Sequence, residues 1–502
     1  MSNPTSNAPA TAVGQLALHR HVAPELPEPY ARSFVASTAR RSVETPDHSE
    51  EFYPLQYATD GSLIENLRFA FKNEPLDLRI VCLTLRALGG GALAEWLRRE
   101  PTGVYSRRAW FLYEKLTGGT IDYPDVTAGN YVDALDACRH YVSTPVNSRR
   151  HRVRDNLLGG PRLCPVVRRT PRLQAFVGAD LSHESKVMAA GYSSDTIARA
   201  VSFLYTKETR SSFAIEGETP GRHREERFVR ALHDAPRFLP ANKRSLVELQ
   251  SSIVDPRYAA RDWRDFQNFV GETTKRFGEF VHFVCPRPED VASLMDGWLD
   301  LTERLRLDAL DPVIAAAVSA FAFVFIHPFE DGNGRIHRFL IHAFLASRRF
   351  GPPGIIFPVS AAILRERSLY DHVLESFSKP LMAAIDWDFT DDQALLVRNE
   401  TLDLYRFFDA TAQAEFLYER IAETIRVDLK EEADFLERFD AALDVIANVV
   451  EMPDKRASLL ARYCLSSAGR LSNNKRKQFD ELSDAEVASI EKGLQGLLAR
   501  ER

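Results

Sequence analysis

Cysteine is scarce in this chain and shows no pairing. The five cysteines, Cys82, Cys138, Cys164, Cys285 and Cys464, are scattered at unrelated intervals. No pair has metal-ligand spacing, and an odd number argues against a disulfide framework. Reduced thiols in a cytoplasmic protein are the expectation. A long hydrophobic run is also missing. The longest apolar stretch, Pro312 to Ile326, is shorter than the ~20 residues of a membrane-spanning helix. It reads as a buried core helix, and no membrane partner is expected. The opening MSNPTSNAPATAVGQLALHR lacks the basic start and continuous apolar segment of a secretory signal. Strong charge of one sign is absent too. A net charge of −6 excludes the global basic field of a bulk nucleic-acid binder. No internal repeat and no interior low-complexity linker is found.

What is present is an ordinary globular composition, 45% hydrophobic and 27% charged. The 502 residues exceed one ordinary core, and about three domains are expected. Residues 1–50 are polar and interrupted by Pro24, Pro27 and Pro29, which predicts a disordered or irregular tail. Residues 51–185 carry helical spacing from Leu63 to Leu116, with Gly89-Gly90-Gly91 as a breaker. This predicts a helical N-terminal domain of unassigned role. Within it, Arg149 to Arg172 holds eight arginines against Asp155 alone. Such a stretch reads either as a phosphate-contacting surface for nucleic acid or as a connector whose arginines pair with acidic neighbours.

Residues 186–385 are more regular. Ile197, Ala200, Val201, Phe203 and Leu204 mark one face of a helix beginning at Ser194. That helix runs into Ser212-Phe213-Ala214-Ile215-Glu216-Gly217, with Gly217 as its C-cap. Alternation at Phe280, His282 and Val284 predicts a hairpin over about 272–286. Residues 386–502 predict a helical C-terminal domain. The fold class is mainly α, with one small hairpin.

The most informative stretch is FAFVFIHPFEDGNGRIHRFLIHAFLASRRF, from Phe321 to Phe350. An apolar helix leads into His327, a Gly-rich loop follows, and a second helix begins near Arg335. Unpaired N–H groups at a helix start, approached through glycines, form an anion site. His327 supplies a base whose ordinary pKa lies near neutrality. Asp331 is a hard oxygen ligand suited to Mg²⁺. Arg335 and Arg338, three apart, share one helix face. His337 and His342, five apart, do not share a face well enough for a metal site with His327.

His-Pro-Phe-x-Asp-Gly-Asn-Gly-Arg-x-x-Arg, complete from His327 to Arg338, resembles the signature of the Fic family of AMP transferases. The resemblance covers roughly residues 190 to 385. It implies a Fic-type helical core with a β-hairpin flap, flanked by helical N- and C-terminal regions. It implies transfer of AMP from ATP to a Ser, Thr or Tyr hydroxyl of a protein target docked at the flap. His327 and Arg335 would be catalytic. Phe329, Gly332, Asn333, Gly334, Arg335 and Arg338 would hold the nucleotide, with Phe329 also anchoring the loop by packing. Asp331 would hold Mg²⁺, or Mn²⁺ in its stead. Fic-related kinases of the Doc type carry lysine where Gly334 stands, so glycine implies nucleotidyl transfer.

Ser212-x-x-x-Glu216-Gly217 resembles the family's inhibitory-helix motif, in the class where that helix precedes the core. By that resemblance Glu216 competes for Arg338 with the γ-phosphate of ATP. Gln267 to Gly271 resembles the segment before the flap. Arg365 and Tyr370 stand where the family has adenine contacts, but the usual Asn is absent. Two alternatives remain open: removal of AMP by the same site, and a regulator that binds DNA or a partner and uses the core as a nucleotide sensor. A homo-oligomer is compatible with either.

Overall fold

The apolar helix Pro312–Ile326 is where the fold begins to position the loop. Asp311 caps it, its carboxylate accepting from the N–H groups of Val313 and Ile314 at 2.9 and 3.1 Å. Pro312 occupies the first turn, where its missing N–H costs nothing. Every residue of the helix except Pro312 and Val324 is buried. Its main partners are the helix Asn333–Ser347, which leaves the loop, and the helix Pro288–Leu307, which precedes it. Trp298 on the latter is fully buried and donates its indole N–H to Ser319 O at 2.8 Å. A helix apolar on all sides is stable only when surrounded in this way.

The protein is described here from a computed structural model covering residues 10–45, 48–273 and 279–499. Helices dominate and strands are confined to small sheets, the mainly α class expected. The chain divides into two units. The first comprises Met1–Asp180, Thr209–Phe350 and Val359–Arg420; the second comprises Leu181–Glu208, Gly351–Pro358 and Ile421–Arg502. This differs from a simple succession of three domains, because each unit gathers segments that are not adjacent in sequence.

In the first unit, Leu63–Asn73, Leu78–Arg99 and Val104–Thr117 pack around Trp96, Trp110 and Leu112. The glycine triplet breaks the stretch as expected, two helices meeting there at a kink. Only Gly89 leaves helical geometry, at φ 69°, and the helix resumes at once. By length and composition Leu78–Arg99 could cross a membrane, but half of its apolar window is buried within the fold.

The expected irregular tail is a correction. Residues 1–9 lie outside the described residues, but Thr11–Val13, Ala31–Val35, Arg41–Glu44 and Ser49–Tyr53 form a four-stranded sheet beside the helix Gly14–Val22. Val13, Val35, Tyr53 and Phe69 make its small core. Strands of three to five residues are too short to register as a period. The three prolines fall in the connection between helix and second strand. The region 51–185 is likewise not purely helical, since five short strands lie between Val132 and Arg168.

Of the two readings of the arginine-rich stretch, the ion pairs agree with arginines that pair with acidic neighbours. Five of its eight arginines pair with carboxylates within the first unit. Arg150 pairs with Glu114 and Asp125, Arg154 with Asp133, and Arg162 with Asp296 and Asp300. Arg168 meets Asp409, and Arg172 meets Glu415 and Glu419. The acidic partners come from distant sequence, so the stretch looks unbalanced only when read linearly.

The second unit has its own core, built from Ile446, Leu460, Cys464, Phe479 and Leu494 on the helices Lys430–Ala447, Asp454–Leu465 and Asp484–Ala499, with Phe479 on the turn before the last. A π-helical turn, Thr424–Leu429, carries Asp428 inward, where Lys207 Nζ meets it at 2.5 Å.

Candidate active site

His327 ends the apolar helix in the left-handed region, at φ 53° and ψ 59°. That conformation is uncommon for a residue with a side chain. The loop then closes on itself through Asn333. Its Oδ1 accepts from Phe329 N–H at 3.0 Å, and its Nδ2 donates to Phe329 O at 2.8 Å. The Phe329 ring is fully buried against Trp263 and Phe323. Of the two roles expected for Phe329, this geometry supports only the anchor: ring and backbone polar groups are both used internally. Asn333 likewise spends its side chain on the loop, leaving its backbone at the helix start. Gly332, the residue before that start, has φ +90°, and a Cβ there would lie 2.7 Å from Val254. Both the turn and its close packing therefore require glycine.

Arg335 and Arg338 follow on the helix Asn333–Ser347, and both are almost wholly buried. Between them lies Glu216. Its Oε2 is 3.0 Å from Arg335 Nε, and its Oε1 accepts from Arg338 Nη2 at 2.7 Å. Arg338 also donates from Nε to Ser212 Oγ at 2.7 Å and from Nη2 to Ser212 O at 2.8 Å. Arg335 reaches Asp331 Oδ1 at 2.6 Å and lies 5.2 Å from the Phe213 ring centre. One continuous ionic chain thus runs Asp331, Arg335, Glu216, Arg338, with Ser212 closing the end.

The placement of Glu216 follows from how its helix stops. Ser194–Ile215 ends with Gly217 at φ +72°. Glu218 N–H bonds to Phe213 O and Gly217 N–H to Ala214 O, both at 3.0 Å. These are the paired bonds of a Schellman end, and they leave Glu216 as the capping residue. Gly334 allows the approach from the other side: a Cβ there would sit 2.5 Å from Glu216 Oε1.

Two buried guanidinium groups are costly without counter-charge, and Glu216 and Asp331 supply it. Burial, and then the nearby Arg264 charge, push the His327 pKa down to about 4. The imidazole is therefore neutral at physiological pH and able to accept a proton. His337 is fully buried against Ala320 O at 2.8 Å, with its pKa pushed to about 3 by burial. It is part of the core. The Asp331 side chain is 41% exposed. Among the described residues no group of three or more His, Cys, Asp or Glu side chains could hold a metal ion. A lone carboxylate fits Mg²⁺ that brings its own phosphate oxygens and waters. Asp331 is the residue that would hold the ion.

The expected hairpin comprises Phe269–Thr273 and Glu279–Val284, paired antiparallel with Phe269 opposite Val284. Its residues 274–278 lie outside the described residues. Phe280 is exposed on it. Tyr370 is buried, its ring 6.2 Å from that of His337. Two residues bearing on the loop escaped the sequence reading. Gln250, fully buried, donates to Asp331 O at 3.2 Å. Arg264 donates to His327 O at 2.8 Å. Neither stands in a pattern that marks it out.

A buried arginine pair at a glycine-bounded helix start, beside a neutral histidine, is an arrangement that suits an anion such as phosphate. Residues 240–345 match the Fic/DOC family, so the chain carries a Fic/DOC domain. It is 29% identical over 191 residues to "Protein adenylyltransferase Fic" of Drosophila willistoni, covering 36% of this chain and 33% of that one. It is 29% identical over 228 residues to "Protein adenylyltransferase fic-1" of Caenorhabditis briggsae, covering 39% and 42%. The Nematostella vectensis "Protein adenylyltransferase Fic" is 42% identical over 73 residues, covering 14% of this chain and 17% of that one. The chain thus spans from about a sixth to two fifths of these relatives. Among solved structures, a Fic family protein from Desulfovibrio desulfuricans G20 is similar at TM-score 0.39 and 20% identity, over 62% of this chain and 87% of that one.

If Glu216 neutralises both guanidinium groups, Glu216→Gly lowers the melting temperature by several degrees in anion-free buffer. Millimolar ATP or pyrophosphate restores it by replacing the lost charge. Differential scanning fluorimetry reads both effects; an unchanged melting temperature without anion contradicts the assignment.

Proposed function

We propose that the protein is an adenylyltransferase that moves AMP from ATP to a protein hydroxyl and is held inactive by its own Glu216. The observation that carries this reading is the carboxylate shared by Arg335 and Arg338. A carboxylate and a phosphate are rival partners for the same guanidinium fork. While Glu216 occupies Arg338, the terminal phosphate of ATP has no cation to rest on, and the α-phosphate is not presented for transfer. The names of the matched relatives support the chemistry.

In the active form, neutral His327 takes the proton from a Ser, Thr or Tyr hydroxyl as its oxygen attacks the α-phosphorus. The bond from the α-phosphorus to the bridging oxygen breaks, and pyrophosphate leaves. Arg335, with the N–H groups of Gly332, Asn333 and Gly334, neutralises charge growing on the phosphoryl oxygens. Arg338 holds the terminal phosphate. Mg²⁺, when bound, screens the phosphates; Asp331 is the residue that would hold it. The target strand would pair with the hairpin edge. The reduced, scattered cysteines fit a cytoplasmic setting.

Removal of AMP by the same site is the second reading. It draws on the Glu216 side chain being one quarter exposed, enough to orient a water. Nucleic-acid binding through residues 149–172 has less motive once five of those eight arginines are paired with carboxylates.

Glu216→Gly should show strong auto-modification by a 329 Da adduct class characteristic of AMP, about tenfold or more above wild type, by intact mass spectrometry. Adding His327→Ala should reduce it by about 10²–10⁴-fold. A Glu216→Gly protein silent with ATP and Mg²⁺ or Mn²⁺ contradicts the proposal.

The lowered His327 pKa sets a second expectation. Because the base works in its neutral form, the rate of Glu216→Gly should stay level from pH 7 to pH 5, and fall as pH approaches about 4. A half-point near the ordinary histidine value of about 6.5 contradicts the lowered pKa.

A further inference from the structure

Arg264 is 6% exposed and forms no ion pair with an acidic side chain among the described residues. Its guanidinium is satisfied by backbone carbonyls instead. Nε donates to His327 O at 2.8 Å, Nη1 to Phe266 O at 2.8 Å, and Nη2 to Pro286 O at 2.6 Å. Its own N–H donates to Pro328 O at 2.9 Å. The four acceptors are not a random set. His327 and Pro328 are the candidate base and the residue after it. Phe266 stands just before the first hairpin strand, and Pro286 just after the second.

A buried charge without a counter-ion is expensive, and a neutral side chain could fill the same space. Arginine alone offers a rigid fork with enough donors to hold three carbonyls at fixed angles. Neighbouring bonds close the same frame. Gln267 Nε2 donates to Cys285 O at 2.7 Å, and Cys285 N–H to Asn268 O at 3.1 Å. His327 needs such a hold, because its left-handed backbone is strained and its ring has only a 3.2 Å contact to Val324 O.

Resting on the transferase reading above, we propose that Arg264 is a positioning residue that fixes the distance between His327 and the hairpin on which a target strand docks. A hydroxyl presented by a paired strand then arrives at one set distance from the imidazole. Lysine, with one compact ammonium, cannot hold all three carbonyls. Arg264 touches neither of the nucleotide-binding arginines nor Asp331, so ATP binding is not its task. Its near charge also helps keep the imidazole neutral.

The test compares Glu216→Gly with Glu216→Gly/Arg264→Met and Glu216→Gly/Arg264→Lys. Three quantities are read: auto-modification rate, ATP dissociation constant, and amide hydrogen exchange over 266–273 and 279–286. We expect both double variants to bind ATP within twofold of the parent. Transfer should fall at least tenfold in Arg264→Met and to an intermediate level in Arg264→Lys. Exchange across both hairpin strands should quicken severalfold. The inference is overturned if transfer and exchange match the parent, or if ATP affinity falls in step with transfer, which marks a merely structural role. If Arg264→Met does not fold, Arg264→Lys alone decides by the same criteria. A parent that does not modify itself ends the transferase reading, while hydrogen exchange still judges Arg264.

Discussion

Two guanidinium groups buried within a turn of each other, sharing one carboxylate, are the constraint around which this site is organised. Arg335 and Arg338 are at most 2% exposed, so each must be neutralised by something held in place. Glu216 meets both, and Asp331 adds a second contact to Arg335. Each surrounding feature serves that contact. The Schellman end stops the helix where Glu216 can reach, and Gly334 removes the Cβ that would block it. Ser212 gives Arg338 a second, neutral partner. The apolar helix and the Asn333 clasp fix where both arginines start.

The same chain of charges joins Asp331 to Glu216. Arg335 is held by Glu216 on one side and by Asp331 on the other. Asp331, Arg335, Glu216 and Arg338 therefore form one short ionic network.

Much of the site could be read from the sequence because its chemistry is local. His327, Asp331, Gly332, Gly334, Arg335 and Arg338 lie within a dozen residues, and spacing alone puts both arginines on one face. Glu216 was legible through its Gly217 cap and its motif. What was not legible depended on long-range packing. Arg264 and Gln250 act through backbone carbonyls, which carry no side-chain signature. The arginines between 149 and 172 left two readings open because Asp296, Asp409 and Glu415 are far away in sequence. The N-terminal sheet is made of strands too short to show alternation, and its prolines sit in a connection rather than in a disordered tail. Phe329 was given two roles, and only the buried ring distinguishes the anchor from the nucleotide contact.

The most direct measurement is calorimetric titration of ATP and of ADP into wild type and Glu216→Gly, with Mg²⁺ present. If Glu216 stands in for the terminal phosphate, removing it tightens ATP binding about tenfold or more and leaves ADP nearly unchanged. Equal gains for the two nucleotides, or no gain for either, would contradict the account.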